Sequence, residues 1–424
     1  MSDDVSTLPA VGGKLGVDRV SIGDLGELSD HLGVMMGRLK TAIYRPNSQK
    51  QAPKFNAAQL AALCGKSANS MLRMLESAEK RGLATGLVTD ATGQKTAAHR
   101  SFTVEQAIEW VRAIGNKCFK RKPGQAGAVI TVGFFKGGVG KTILATSLAQ
   151  GLSLKGYRVL AIDFDPQGSM SAMLGVDPAE VDVSETFTPI ALPKGVDGHS
   201  ENLGDSVRPT YWSGVDIIAG NTALFNCEFY LPIRSMNAQK EGKRFNFLEV
   251  LTKGLQMGLR DEYDYIIIDT PPALSYTTMN AYWAADAILM PVVPEGLSLQ
   301  SSVQFWDQFT ELAQEAAKQS LEPKDYSWLG IVPSKVEGHK PSVQEMMKWI
   351  RLFYGEYVMS SEIPQTDAVK TGGTEFKSVY DISRASEYMG SSQTYARARE
   401  AFDRMVNEVD AMTRRSYWLE QQGE

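Results

Sequence analysis

Cysteine is scarce in this 424-residue chain. Cys64, Cys118 and Cys227 stand far apart, form no CxxC pair and would leave one thiol unmatched even if two were bridged. That excludes a disulfide framework and fits a reducing cytoplasm. No run of 18 apolar residues occurs, and the opening MSDDVSTLPAVGGK is acidic and has no apolar h-region. Neither a membrane span nor a secretory leader is expected. Internal repeats and low-complexity tracts are also missing.

What is present is ordinary for a folded chain: 43% hydrophobic and 22% charged residues. At this length one core stops growing, so two or more domains are expected. The net charge of -5 is unevenly spread, with residues 1 to 126 carrying +7 and the remainder -12. A basic segment on an acidic body is an electrostatic footprint for DNA, although solvated linker lysines give the same count.

Within residues 18 to 43, Leu25, Leu28, Leu32, Met35, Met36 and Leu39 recur at spacings of three and four. This predicts an amphipathic helix whose stripe needs a partner, either its own domain or a dimerising arm. RPNSQKQAPK (45 to 54) reads as a linker. Residues 55 to 81 then predict two short helices broken at Gly65, with Ser67 as the second N-cap. Leu60, Leu63, Met71, Leu72 and Leu75 can share a buried face, leaving Lys66, Ser67, Asn69, Ser70 and Arg73 outward. Leu83 to Phe102, with the turn-like DATGQK and Arg100, has the form of a strand-turn-strand wing. Together these resemble a winged helix-turn-helix, for which a plain helical hairpin is the competing reading. A helix at 103 to 117 and the basic, Gly/Pro-rich KCFKRKPGQAG follow, marking a domain boundary. Beyond it the apolar runs AVITVGFF, YRVLAIDF, VDIIAG, YDYIIID, AILMPVV and WLGIVPS alternate with helical segments. That alternation predicts an α/β fold, a mostly parallel sheet with helices on both faces.

The first of those strands runs into Lys136-Gly137-Gly138-Val139-Gly140-Lys141-Thr142-Ile143 and a helix. Glycines let successive backbone N–H groups turn toward phosphate oxygens, and a helix start aims its positive end at the same charge. Lys141 would neutralise the outer phosphates and Thr142 would offer a hydroxyl to Mg²⁺. Downstream, YRVLAIDFDPQGS ends a strand in Asp163 and Asp165, and YDYIIIDTPP ends another in Asp269. A carboxylate at a strand end beside a phosphate loop can position a water or hold Mg²⁺. Without that loop, an aspartate pair there would be read as a turn former.

Phe135 stands where the general phosphate-loop pattern has its first glycine, and a lysine precedes two glycines instead. KGGVGKT resembles the deviant Walker A motif of the ParA/MinD family, DFDPQGS its second motif and YIIIDTPP its Walker B strand. The likeness spans roughly residues 128 to 400, and PVVPEGLSLQSS and SSEIPQTDAVKTGG resemble later family segments, the second beside the adenine ring. It implies an ATPase using ATP and Mg²⁺, with Thr142 and Asp269 at the metal, Asp165 at the attacking water, and Asp163 supporting either the loop or the Mg²⁺ shell. It also implies a homodimer in which Lys136 reaches the partner's phosphates, and stimulation by a centromere-binding ParB-type protein. The longer ParA form, with its N-terminal DNA-binding module, also represses its own operon. Nonspecific DNA would then be held by C-terminal basic residues among Lys370, Lys377, Arg384, Arg397, Arg399, Arg404, Arg414 and Arg415, Arg384 being the one singled out; intrahelical ion pairs to Glu400, Asp403 and Glu408 compete with that role.

The expected organisation is an N-terminal helical arm (1 to 48), a winged helix-turn-helix domain (49 to 122) and a P-loop ATPase domain (126 to 424), acting in the cytoplasm on the nucleoid. Competing readings are a nucleotide-regulated sequence-specific repressor, a MinD-like membrane switch, and a metabolic P-loop enzyme. The short, mixed-charge TRRSYWLEQQGE disfavours the membrane switch. The absence of paired cluster cysteines disfavours a nitrogenase iron-protein relative.

Overall fold

The structure, a computed structural model, describes residues 21–43, 50–89, 95–115, 120–243, 245–317, 324–365, 377–382 and 390–419. The chain divides into two compact units, Met1–Gln51 and Ala52–Glu424.

The first unit contains helix α1 (Ile22–Ile43). Its start is set by Ser21, whose hydroxyl accepts from the Asp24 N–H while the Asp24 carboxylate accepts from the Ser21 N–H. This reciprocal cap satisfies two of the donors a helix start leaves open. Leu25, Leu28 and Leu32 of the expected stripe are 54%, 42% and 58% exposed. The described residues of this unit do not cover them. The side chains of Met36 and Leu39 lie outside the described residues.

The second unit opens with α2 (Ala57–Leu63) and α3 (Ala68–Glu76), joined through Gly65 in left-handed backbone. Asn56 and Gln59 form a capping box on α2, and Ser67 caps α3 by accepting from the Ser70 N–H at 3.2 Å. Leu60, Met71 and Leu75 are buried as the spacing predicts, but Leu72, expected on that shared face, is 48% exposed. An antiparallel ribbon follows, β1 (Leu87–Thr89) with β2 (Lys95–Arg100), and then α4 (Val104–Ile114). The turn at 90–94 lies outside the described residues.

From there strands and helices alternate. The elements are β3 (Ala128–Val132), α5 (Lys141–Leu154), β4 (Val159–Asp163), α6 (Ser169–Met173), α7 (Thr188–Ala191), β5 (Arg208–Pro209), β6 (Val215–Ile218), α8 (Cys227–Lys240), α9 (Val250–Gln256) and α10 (Leu259–Glu262). They continue with β7 (Tyr265–Asp269), α11 (Tyr276–Ala284), β8 (Ala287–Val292), α12 (Gly296–Ala317), β9 (Trp328–Pro333), α13 (Pro341–Tyr354) and α14 (Ser392–Thr413). The sheet order is β5-β6-β4-β7-β3-β8-β9, parallel except for β5. All six apolar runs of the sequence became strands. The two-residue β5 is too short to leave a period in the sequence.

Successive strand residues enter opposite cores. Ile130, Val132, Ala161 and Ile267 pack with α5 and α14, while Val129, Leu160, Ile162 and Ile266 pack with α8, α9 and α11. Both faces are thus covered, which is why these strands read as continuous apolar runs rather than alternating ones. The α2–α4 module joins the first core: Ile108 of α4 packs over Gly214, and Arg112 Nε donates to the Gly156 carbonyl at 2.7 Å. The basic segment between them is anchored as well. Arg121 donates to Asp264 Oδ1 at 2.7 Å and to the carbonyls of Gln125, Arg260 and Asp261.

Candidate functional site

Strand register brings the acidic strand ends and the glycine loop together. β7 lies between β3 and β4, with Asp269 opposite both Val132 and Asp163. The loops leaving these three strands therefore open at one edge of the sheet, where parallel α/β folds place their ligands.

Gly138 and Gly140 take φ of +73° and +97°. L side chains rarely adopt such backbone. A Cβ at Gly138 would meet nothing within 4 Å, so the loop leaves an open cradle above its own backbone. α5 starts directly after Gly140 with no side chain capping it. Its first N–H groups stay open to an anion, and the helix dipole favours one there. The loop forms the floor of a cleft of about 480 Å³ that also takes in Lys141, Thr142, Ile143, Asp165 and Pro272.

Lys141 is 7% exposed, and its Nζ donates to the Lys136 carbonyl at 3.3 Å. Burial lowers its pKa, opposed by the nearby Asp269 and Asp165 charges. Asp269 is fully buried, and neither of its oxygens meets a hydrogen-bond partner of good geometry among the described residues. Burial, and then the Asp163 charge, raise its pKa well above the carboxylate range, while the Thr142 hydroxyl and Lys141 pull it down. A buried carboxylate left unfilled beside a hydroxyl is a hard-oxygen donor set suited to a Mg²⁺ ion. Thr142 and Asp269 would hold that ion. Among the described residues no group of three or more His, Cys, Asp or Glu could hold a metal on its own. Phosphate oxygens and water would have to complete the shell, as is usual for Mg²⁺.

The two aspartates after β4 differ. Asp163 Oδ2 accepts from the Ser171 N–H and hydroxyl, both at 2.8 Å, and Oδ1 accepts from the Asp165 N–H at 3.1 Å. Ser171 Oγ in turn accepts from the Gly220 N–H. Asp163 therefore ties the β4 and β6 loops together, and this structure brings its oxygens to the loop rather than to Thr142. Burial first raises its pKa, to about 6. Asp165 is half-buried and lines the cleft, with Oδ1 accepting from the Gln167 N–H.

Lys136 does not face the cleft floor. Its Nζ donates to Ser298 Oγ at 2.8 Å and pairs with Glu295 at 3.4 Å, at the start of α12. No local pattern around either residue signals this hold. Sequence reasoning also missed Ser334, Lys335, Ile363, Gln365 and Phe402, which complete the cleft. Ser334 Oγ donates to the Val139 carbonyl at 2.5 Å, bracing the loop. Lys335 takes φ +55°, the one non-glycine residue with positive φ among those described. These residues follow a strand end and a family-like segment, but no single-residue pattern marks them.

On α3, Asn69 and Arg73 are exposed and Ser70 is half-buried, as is Lys66 in the turn before it. The Ser67 oxygen is engaged as the helix cap. Arg100 is half-buried, and its guanidinium donates to the Thr85 carbonyl inside the module. Lys370 and Arg384 lie outside the described residues. Of the other C-terminal cations, Arg399 stacks on Tyr380 and pairs with Asp403, Arg404 pairs with Glu400 at 2.7 Å, and Arg414 pairs with Asp410. For Arg399 and Arg404 the expected intrahelical ion pairs are present, whereas Arg414 uses Asp410, and Glu408 instead accepts from the Ser360 and Ser361 N–H groups.

A family model described as an AAA domain matches residues 127–322. The chain is similar to a putative replication protein A of Rhizobium rhizogenes, 33% identical over 297 residues covering 70% of this chain and 71% of the relative. Protein SopA of Escherichia coli (strain K12) is 27% identical over 366 residues, 86% of this chain and 89% of SopA. The chromosome partitioning protein ParA of Caulobacter vibrioides is 29% identical over 279 residues, 65% of this chain and 94% of that protein. A solved partition protein shares the fold with a TM-score of 0.61 over 92% of this chain and 97% of its own, at 18% identity. The deviant phosphate loop, the two acidic strand ends, the fold and these relatives agree: the chain belongs to the ParA-type family of P-loop partition ATPases.

Proposed function

We propose that this chain is a DNA-partition ATPase that closes as an ATP-bound homodimer on nonspecific DNA. A centromere-binding ParB-type partner then stimulates hydrolysis and release, so that a plasmid or chromosome is moved through the cytoplasm over the nucleoid. The observation that carries this reading is Asp269, buried with both oxygens unfilled beside Thr142 and Lys141 under an open glycine loop. In this reading the N–H groups of residues 137–142 and the Lys141 ammonium hold the β- and γ-phosphates, and Asp165 orients the attacking water. Lys136 of one protomer crosses to the phosphates of the other, acting as an arginine finger does. A bound Mg²⁺, held by Thr142 and Asp269, supplies charge neutralisation at the transferred phosphoryl group.

The exposed Asn69 and Arg73 support operator binding by α3, so that the protein also represses its own operon. Against a membrane-switch reading, the segment after α14 is fastened to the body, with Tyr417 and Trp418 buried and Trp418 Nε1 donating to the Ala126 carbonyl at 3.0 Å.

ATP turnover with and without DNA, in the wild type, Lys136→Ala and Lys141→Ala, tests the proposal. Lys141→Ala should abolish nucleotide-dependent activity, and Lys136→Ala should keep nucleotide affinity while losing hydrolysis. Equal turnover in all three would overturn it.

A further inference from the structure

Lys335 stands in backbone that its own side chain disfavours. Its φ of +55° is left-handed, where Cβ crowds the following carbonyl and only glycine fits without cost. The packing on either side imposes it. The Ser334 N–H donates to the Val292 carbonyl and the Val336 N–H to the Ile363 carbonyl, both at 2.9 Å, while the Ile363 N–H donates to the Pro333 carbonyl at 2.8 Å. Ser334 and Val336 are buried, so Lys335 occupies a fixed corner between β9 and the Val336–Pro364 bridge, half-buried and lining the nucleotide cleft. A glycine could turn the same corner unstrained, so the strain points to a use for the lysine side chain.

Neighbouring carboxylates do not neutralise this lysine. Glu337 pairs with Lys340, and Glu362, next to Ile363, pairs with Arg351 at 2.9 Å. Among the described residues that line the cleft, Lys141 and Lys335 stand against a single carboxylate, Asp165. The corner also touches the glycine loop: Ser334 Oγ donates to the Val139 carbonyl, and a Cβ on Gly140 would lie 3.7 Å from that same oxygen. A cation one residue from the phosphate loop, in a cleft short of carboxylates, suits a phosphate oxygen.

Strand order indicates which phosphate. β7, with Asp269 at its end, lies on one side of β3, and β8 and β9 lie on the other. The metal expected at Asp269 bridges the β- and γ-phosphates, so Lys335, across the glycine loop from it, stands on the nucleoside side. We propose that Lys335 is a nucleotide-binding residue whose ammonium pairs with the α-phosphate. The inference rests on the ATP-binding reading above and adds a residue to it. Lys141 and the metal neutralise the outer phosphates and Lys335 the innermost, so its contact is common to ATP and ADP and survives hydrolysis.

Calorimetric titration of the full chain with ATP and with ADP, both with Mg²⁺, tests this on three variants. Lys335→Gln keeps most of the aliphatic stem and loses the charge; it should weaken both nucleotides by about tenfold and by equal factors. Lys335→Arg should restore affinity to within about threefold of wild type, since a guanidinium also pairs with phosphate. Lys335→Gly should lose as much affinity as Lys335→Gln while the nucleotide-free protein melts no lower than wild type, a split that a purely structural residue would not show. Unchanged affinity in Lys335→Gln overturns the proposal, as does a loss confined to ATP, which would put the ammonium at the γ-phosphate. A Lys335→Gly protein that melts lower and binds both nucleotides normally overturns it too. A wild type that binds neither nucleotide would instead remove the underlying reading.

Discussion

Lys136 Nζ donates to Ser298 Oγ at 2.8 Å within its own protomer. If Lys136 serves the partner's phosphates, this bond must break as the dimer closes. The Glu295 partner is 62% exposed, so its ion pair contributes little, and the buried Ser298 hydroxyl is the stronger hold. Ser298→Ala should therefore favour closure, by about 1 kcal/mol or roughly fivefold in the ATP-dependent dimer constant. Sedimentation equilibrium checks it, and an unchanged or weaker constant would mean that the bond plays no part in closure.

Gly138→Ala separates stability from function. The left-handed backbone makes the substitution cost about 1–2 kcal/mol of stability, since Cβ itself clashes with nothing. The same methyl projects into the cradle where phosphate is expected. The melting temperature should drop slightly, and ATP affinity, measured calorimetrically, should fall by at least a hundredfold. Near-normal affinity would place the triphosphate elsewhere.

The buried carboxylates predict a pH dependence. Asp163 is raised to about 6, and Asp269 is raised well above its ordinary value by burial and by the Asp163 charge, so folding favours their protonated forms. Their contribution is fully present below the ordinary carboxylate value near pH 4 and is lost as pH rises through about 6. The nucleotide-free protein should melt lower at pH 7.5 than at pH 5. Asp269→Asn should flatten that trend, raising the melting temperature at pH 7.5 by about 2 °C while abolishing Mg²⁺-dependent turnover. Scanning calorimetry of both proteins at the two pH values decides it; parallel curves would show that Asp269 does not carry the effect.

DNA binding by α3 is tested by Arg73→Ala. Arg73 is exposed and carries none of the core. Removing a guanidinium that meets a base or a phosphate should weaken operator binding by about 1–3 kcal/mol with ATP turnover unchanged. Footprinting at wild-type strength would remove the helix-turn-helix from the reading.

Much of this protein could be read from local signals. The loop 136–142, the strand ends at Asp163 and Asp269 with Asp165 just after the first, and six of the sheet's strands all follow from patterns confined to a few neighbouring residues. Phosphate binding needs glycine φ freedom and a helix start in one short stretch, and buried parallel strands need unbroken apolar runs. Even the capping role of Ser67 is local. The expectation failed where spacing alone was used to assign a shared face: Leu72 fits that spacing yet lies 48% exposed, with no described element covering it.

Local pattern thus carries the phosphate-loop motif and the type of sheet behind it. Which groups face one another is a matter of packing: β7 between β3 and β4, Asp163 engaged by Ser171, Lys136 held by Ser298, and Ser334 and Phe402 closing the cleft. Most of these pairs join residues far apart in the chain, at distances set by strand order and helix packing. No periodicity encodes such a distance; it arises only when both faces of the sheet are covered at once.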